Sequence, residues 1–114
     1  MTIAMLAAIA ASGALQVIDG DTLIIGAEKI RLVGVDAPEI SGAKCPAERA
    51  LGRLAADRLR MLTKGKSVDV DRSGFDRYGR TLAVILVDGD NVGSALIAEG
   101  YARRWPQRRG WCER

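Results

Sequence analysis

Asp21, Asp36, Glu39, Arg31 and Arg80 are the residues of this chain whose types and spacing suit attack on a phosphodiester. Asp21 and Asp36 fall at boundaries of two consecutive strand patterns, so a hairpin can bring both carboxylates to the same end. Paired carboxylates there form a natural seat for a hard cation, since calcium takes oxygen ligands from carboxylates, backbone carbonyls and water. Glu39 follows in Asp36-Ala37-Pro38-Glu39, where proline narrows the ways the acids can be arranged. A carboxylate beside a metal-bound water can orient that water or take its proton. Arg31 sits in an apolar strand and Arg80 closes the loop Asp76-Arg77-Tyr78-Gly79-Arg80. Planar guanidinium groups donate in pairs to phosphate oxygens and stabilise charge that builds in a transition state.

Each residue also has an ordinary reading. Aspartates favour turns, Glu39 reads equally as a solvated loop acid, and an arginine in an apolar strand can be half of an ion pair. Asp19 shares the Asp19-Gly20-Asp21 turn, as a supporting acid for the site or a purely structural one.

The elements that must hold this set can be read from apolar spacing. Leu15 to Ile18 is a first strand, Thr22 to Ile25 a second, and Ile30 to Val35 a third that ends at Asp36, with turns at 19–21 and 26–28. From Pro46 the period changes. Ala47, Ala50, Leu51, Leu54, Ala55, Leu59 and Leu62 recur at helical spacing, with Pro46 in the first turn and Gly65 as terminator. Ser67 to Asp71 reads as a fourth strand, Arg72 to Gly79 as a polar loop, Leu82 to Val87 as a buried fifth strand, and Val92 to Ala98 as a short helix. A mainly β protein with helices (α+β) follows: an OB-type five-stranded barrel, one long helix after the third strand and a short one after the fifth. An α+β sandwich is the alternative.

Composition narrows the chemistry. At 114 residues, 48% hydrophobic and 27% charged, the chain has the makings of one globular domain over 15–114. It contains no histidine, which excludes imidazole-based serine or cysteine mechanisms and His-ligated zinc. The net charge is +3, and residues 100–114 carry +4 of it against −1 elsewhere. Those arginines, Arg103 and Arg104 among them, are interleaved with Tyr101, Trp105 and Trp111, a pattern suited to tracking phosphates and stacking bases, or to a solvated tail. Residues 1–14 form an apolar segment, either a signal remnant without a basic start or an overhang on the first strand, and too short to span a membrane as a helix. Cys45 and Cys112 are a disulfide or two free thiols.

Taken together, Val17-Ile18-Asp19-Gly20-Asp21-Thr22, Ile30-Arg31-Leu32 through Val35-Asp36-Ala37-Pro38-Glu39, Asp76 to Arg80, and Asn91-Val92 through Gly100-Tyr101-Ala102 resemble the staphylococcal nuclease family. The resemblance implies calcium (Ca2+) on Asp21, Asp36 and the Ala37 carbonyl, with Thr22 reached through water. It implies Glu39 acting on the attacking water, Arg31 and Arg80 on the scissile phosphate, and Tyr78 and Arg77 on the nucleotide. The activity implied is hydrolysis of DNA and/or RNA with the 5′-oxygen leaving, to give 3′-phosphate ends. The chain departs from the family at Ala37, where threonine is common, and in the short loop Ile40 to Cys45, and the C-terminal helix of longer relatives is not expected within residues 100–114. Substrate clamping is then expected either to be weaker or to pass to the tail, with Arg103, Arg104 and Trp105 as candidates. A Cys45–Cys112 pairing would pin that tail and imply an exported protein; a monomer without stable membrane association is expected. Two further readings stand beside the nuclease: a silent OB module binding nucleic acid or protein, and a protein-interaction domain.

Overall fold

The computed structural model describes residues 14–107 and 109–113, so the signal-like segment falls largely outside the described residues. Among the described residues eight strands and two helices run in the order β1 (Leu15–Asp19), β2 (Thr22–Ile25), β3 (Glu28–Leu32), β4 (Val35–Asp36), α1 (Pro46–Thr63), β5 (Asp69–Phe75), β6 (Thr81–Val87), β7 (Asp90–Asn91), α2 (Val92–Ala98) and β8 (Arg103–Arg104). The main sheet has the order β1-β2-β3-β6-β5, with β7 on β6, while β4 and β8 pair apart from it. Among the described strands only β3 and β6 run parallel, joined by a connection that carries α1. This is the OB-type arrangement expected of five principal strands with a helix inserted after the third. β4, β7 and β8 are two-residue additions.

Alternation sets the core. Along β6, Thr81, Ala83, Ile85 and Val87 point inward, and they meet Leu23, Ile30 and Leu32 from the hairpin, Leu59 from α1 and Leu96 from α2. The third strand is shorter than its apolar run suggests. Gly34, at φ +76°, breaks it after Leu32, and Val35–Asp36 turn away to pair with Arg103–Arg104. In the other direction β5 is longer than expected, continuing to Phe75 across an irregularity between Arg72 and Gly74. All of its residues but the half-buried Val70 are exposed, so polarity there marked exposure rather than a loop.

α1 buries Ala55 and Leu59 of the stripe read in the sequence but turns its other leucines outward or to the margin. Glu48, Gly52, Ala55, Ala56, Leu59 and Thr63 face inward, while Leu51 and Leu54 are 41% and 56% exposed. The reason is close approach. A Cβ on Gly52 would lie 2.7 Å from the Glu39 carbonyl oxygen, and one on Gly20 would lie 2.6 Å from the Ala55 Cβ. Only small side chains let the helix reach the β1–β2 turn and the loop after Pro38, the two segments that carry the acids.

Candidate active site

Asp21 stands where β2 begins. The Leu32 N–H donates to its backbone carbonyl at 2.9 Å, which joins it to the end of β3. Its side chain is buried, with Oδ1 accepting from the Thr22 hydroxyl at 2.9 Å and Oδ2 from the Ala37 N–H at 2.8 Å. That last bond brings Asp36 beside Asp21 although the two are not on paired strands. Arg31 lies 3.5 Å from Asp21 Oδ2, and its Nη1 donates to the Leu32 and Val35 carbonyls at 3.0 and 2.6 Å. A half-buried arginine is thereby anchored through the chain segment that turns Asp36 into place.

Asp19 and Glu39 lie on the same side. The Ile40 N–H donates to Asp19 Oδ1 at 3.1 Å, so Asp19 holds the loop that carries Glu39. Burial, and then the charge of Asp21, push the Asp36 carboxyl above its ordinary range; Arg31, Trp111 and Arg103 pull the other way by less. Burial also raises Glu39, followed by the charges of Asp19, Glu48, Asp21 and Asp36. Asp19 is raised by burial foremost, opposed by the Ile40 N–H and reinforced by Asp21. Together these acids form a partly desolvated concentration of negative charge that a cation would relieve.

On the other side of Arg31 is a cavity of about 620 Å³ lined by Arg31, Asp76, Arg77, Tyr78, Arg80 and Trp105, with Leu32, Val33, Gly34 and Leu82 at its base. Arg80 donates through Nε to Asp76 Oδ2 at 2.7 Å, and among the described residues its Nη nitrogens have no hydrogen-bond partner. Asp76 also accepts from the Tyr78 and Arg80 N–H groups at 2.9 Å each, which fixes the turn. Burial tends to raise its carboxyl, and these bonds hold it below its ordinary value. The Tyr78 ring, largely exposed, lies 5.1 and 5.3 Å from the guanidinium carbons of Arg77 and Arg80. Arg31 thus connects an acid pair to a cavity rimmed by arginine and aromatic groups.

The tail divides. Trp105 lines the cavity. Arg104 lines a separate hollow with Asn91, Ser94 and Ile97, and Arg103 stacks on Trp111 at 3.7 Å while donating to the Arg109 carbonyl. Arg103 pairs with Asp36 in the β4–β8 ladder and acts on that carboxylate, not on the cavity. Trp111 Nε1 is buried without a well-formed hydrogen bond, yet near enough to Asp36 to lower its carboxyl. Cys45 and Cys112 are bonded, closing the tail onto the start of α1. Arg108 and Arg114 lie outside the described residues.

Residues 29–111 match the family model described as Staphylococcal nuclease homologue. The chain belongs to that family. The thermonucleases of Staphylococcus intermedius and Staphylococcus hyicus are 35% and 37% identical to it over 94 and 95 residues, covering 77% and 78% of this chain and 55% and 56% of theirs. The micrococcal nuclease of Shigella flexneri is 33% identical over 106 residues, covering 82% of this chain and 56% of its own. The chain therefore spans about half the length of the curated relatives it matches. The match to the family includes Arg31, Asp36, Glu39 and Arg80 but begins after Asp21.

Sequence reasoning passed over Glu48. It is buried on the first turn of α1 and receives the Glu39 and Lys44 N–H groups at 3.1 and 2.9 Å. Cys45-Pro46-Ala47-Glu48 has the spacing of a helix-capping box, with cysteine in the serine position, and Cys45 Sγ does accept from the Glu48 N–H at 3.4 Å. That spacing was the available signal.

Proposed function

We propose that this chain is a nuclease that hydrolyses phosphodiester bonds of DNA and/or RNA, with calcium as its metal and 3′-phosphate ends as products. The observation that carries the reading is Arg31, which touches Asp21 on one side and lines the arginine-rich cavity on the other. A phosphate held by Arg31 and Arg80 would lie next to the acids.

The residues fit calcium by the chemistry of their donors. Asp21 and Asp36 offer carboxylates, Ala37 a carbonyl, and Thr22 a hydroxyl already bonded to Asp21. Asp21 uses one lone pair on each oxygen for these bonds, and Oδ2 also faces Arg31. Among the described residues no three acid side chains gather at ligating range. Of the roughly six to eight oxygens calcium takes, most would come from carbonyls, water and substrate. When bound, the ion supplies charge that stabilises the phosphorane-like transition state.

The chain's own groups do the remaining work. Glu39, raised by burial and by its acidic neighbours, accepts the proton of the attacking water at its carboxylate. Arg31 is fixed by two carbonyls and donates from its remaining N–H groups, while Arg80 offers both Nη nitrogens to phosphate oxygens. Tyr78, Arg77 and Trp105 stack on and hold the flanking nucleotide. Export fits the Cys45–Cys112 bond, which persists in oxidising compartments. Among the described residues no helix is long and apolar enough to cross a membrane.

The test is cleavage of denatured DNA with and without calcium, by the wild type, Glu39→Ala and Arg80→Ala. Loss of about 10²–10³-fold or more in kcat for each variant is expected. Full activity in both would refute the assignment, and calcium-independent binding without cleavage would favour a silent OB module.

A further inference from the structure

Glu48 is 6% exposed and, among the described residues, has no arginine or lysine partner within salt-bridge range. A buried carboxylate without a counter-charge is costly and persists where its oxygens are used. Both are used here. Oε2 accepts from the Glu39 N–H at 3.1 Å and Oε1 from the Lys44 N–H at 2.9 Å, so one side chain holds both ends of the loop that begins with Glu39. A glutamine could offer an acceptor to only one of those donors, because its other end is an NH2 group.

The surroundings leave this loop little freedom. α1 reaches the Pro38 and Glu39 carbonyls through Gly52, and a Cβ on Gly42 would overlap Glu39 Oε1. Cys45 caps the turn from which Glu48 projects, and its partner Cys112 has its Sγ 4.0 Å from Glu48 Oε1. The helix start, the disulfide and the Glu39 loop therefore meet at one carboxylate.

We propose that Glu48 is a positioning residue for Glu39: its two oxygens clamp the Glu39–Lys44 loop and set where the Glu39 carboxylate sits relative to Arg31 and Asp21. The proposal rests on the reading of Glu39 as the group that acts on the attacking water. Glu48 is assigned no contact with the reacting atoms: it acts on Glu39 through that loop, beside the charge with which it helps raise the Glu39 carboxyl. A catalytic group displaced by about 1 Å can cost on the order of 10²-fold in rate.

The experiment is a double-mutant cycle of Glu48→Gln and Glu39→Ala, measuring kcat and KM on denatured DNA with calcium present and thermal unfolding of each variant. Glu48→Gln alone should lower kcat by about 10- to 100-fold with KM changed less than about twofold. In the Glu39→Ala background the same change should have no further effect on kcat, because the group it positions is gone. An additive loss, or a loss shared between kcat and KM, would overturn the proposal and leave Glu48 a structural carboxylate. Full activity of Glu39→Ala would overturn the reading of Glu39 and this proposal with it. Should Glu48→Gln not fold, Glu48→Asp, which keeps the charge but cannot span both donors, replaces it in the cycle. Amide exchange at Glu39 and Lys44 should then rise in step with the loss of kcat, and unchanged exchange with lowered kcat would count against the clamp.

Discussion

The acid side and the arginine side of the candidate site are built in opposite ways. Asp21, Asp19 and Glu48 each spend carboxylate oxygens on backbone N–H groups of the 37–44 segment, and α1, β8 and the disulfide close around them. The arginine side is a single turn, Asp76 to Arg80, fastened by Asp76 and topped by a largely exposed Tyr78 opposite an exposed Trp105. Groups that must direct a cation and a water need fixed positions, whereas a nucleic acid of varied sequence is met by a surface that can adjust. Rigidity and exposure are divided along Arg31.

The sharpest test of this division compares Asp21→Ala with Arg80→Ala. Asp21→Ala should abolish detectable cleavage and also lower stability by about 1–2 kcal/mol in urea unfolding, since it orphans the Ala37 N–H and takes the carboxylate from Arg31, a loss partly offset by relief of Asp19 and Asp36. Arg80→Ala should match the loss of activity to within an order of magnitude while changing stability by less than about 0.5 kcal/mol. Equal destabilisation by both would erase the contrast.

Next in size is the closure of the tail. Replacing Cys45 and Cys112 together by serine should cost about 2–4 kcal/mol in stability, read by thermal unfolding without reductant. Activity should fall as well, because Trp111 and Arg103 then lose their fixed place beside Asp36. Unchanged activity in a measurably less stable protein would confine the tail to a structural role.

Trp105→Ala should act on the exposed side alone. KM for denatured DNA should rise by roughly 5- to 10-fold with kcat and unfolding temperature nearly constant, as expected for loss of one stacking surface. A fall in kcat with KM unchanged would move Trp105 to the catalytic side.

The smallest effect lies away from the site and serves as a control. Hydrogen bonding from Arg72 holds Glu28 down to about 2, against an ordinary value of 4.5. Its folded-state pKa is depressed, so the stabilisation is present above about pH 4.5 and lost as the pH falls toward 2. For so exposed a pair it amounts to about 0.5 kcal/mol. Glu28→Gln should be slightly less stable than wild type at pH 6 and indistinguishable near pH 2, with cleavage at neutral pH unaltered.

How much of this was legible in the sequence differs by element. The order of strands and helices followed from apolar period and turn residues, which act within a few neighbours, and the short helix Val92–Ala98 has the limits its pattern implies. Strand ends were less legible: one positive-φ glycine splits the third strand, and exposure of nearly every residue disguised the length of β5. The acids and arginines were legible as an ordered set, not one by one, because any of them alone is an ordinary turn or surface residue.

By itself the sequence determined the chemistry open to this protein: no imidazole, hard oxygen donors, two guanidiniums in order, and a basic aromatic tail. Tertiary structure alone decided which of these groups meet. It turned Arg103 toward Asp36 and left Trp105 at the cavity, selected the face of α1 with Gly52, Ala55, Ala56 and Leu59 over the one with Leu51 and Leu54, and recruited Glu48 to the loop of Glu39. The physical reason is that side-chain type is local, whereas burial, close backbone approach and the pairing of distant N–H groups with carboxylates depend on the whole packed chain.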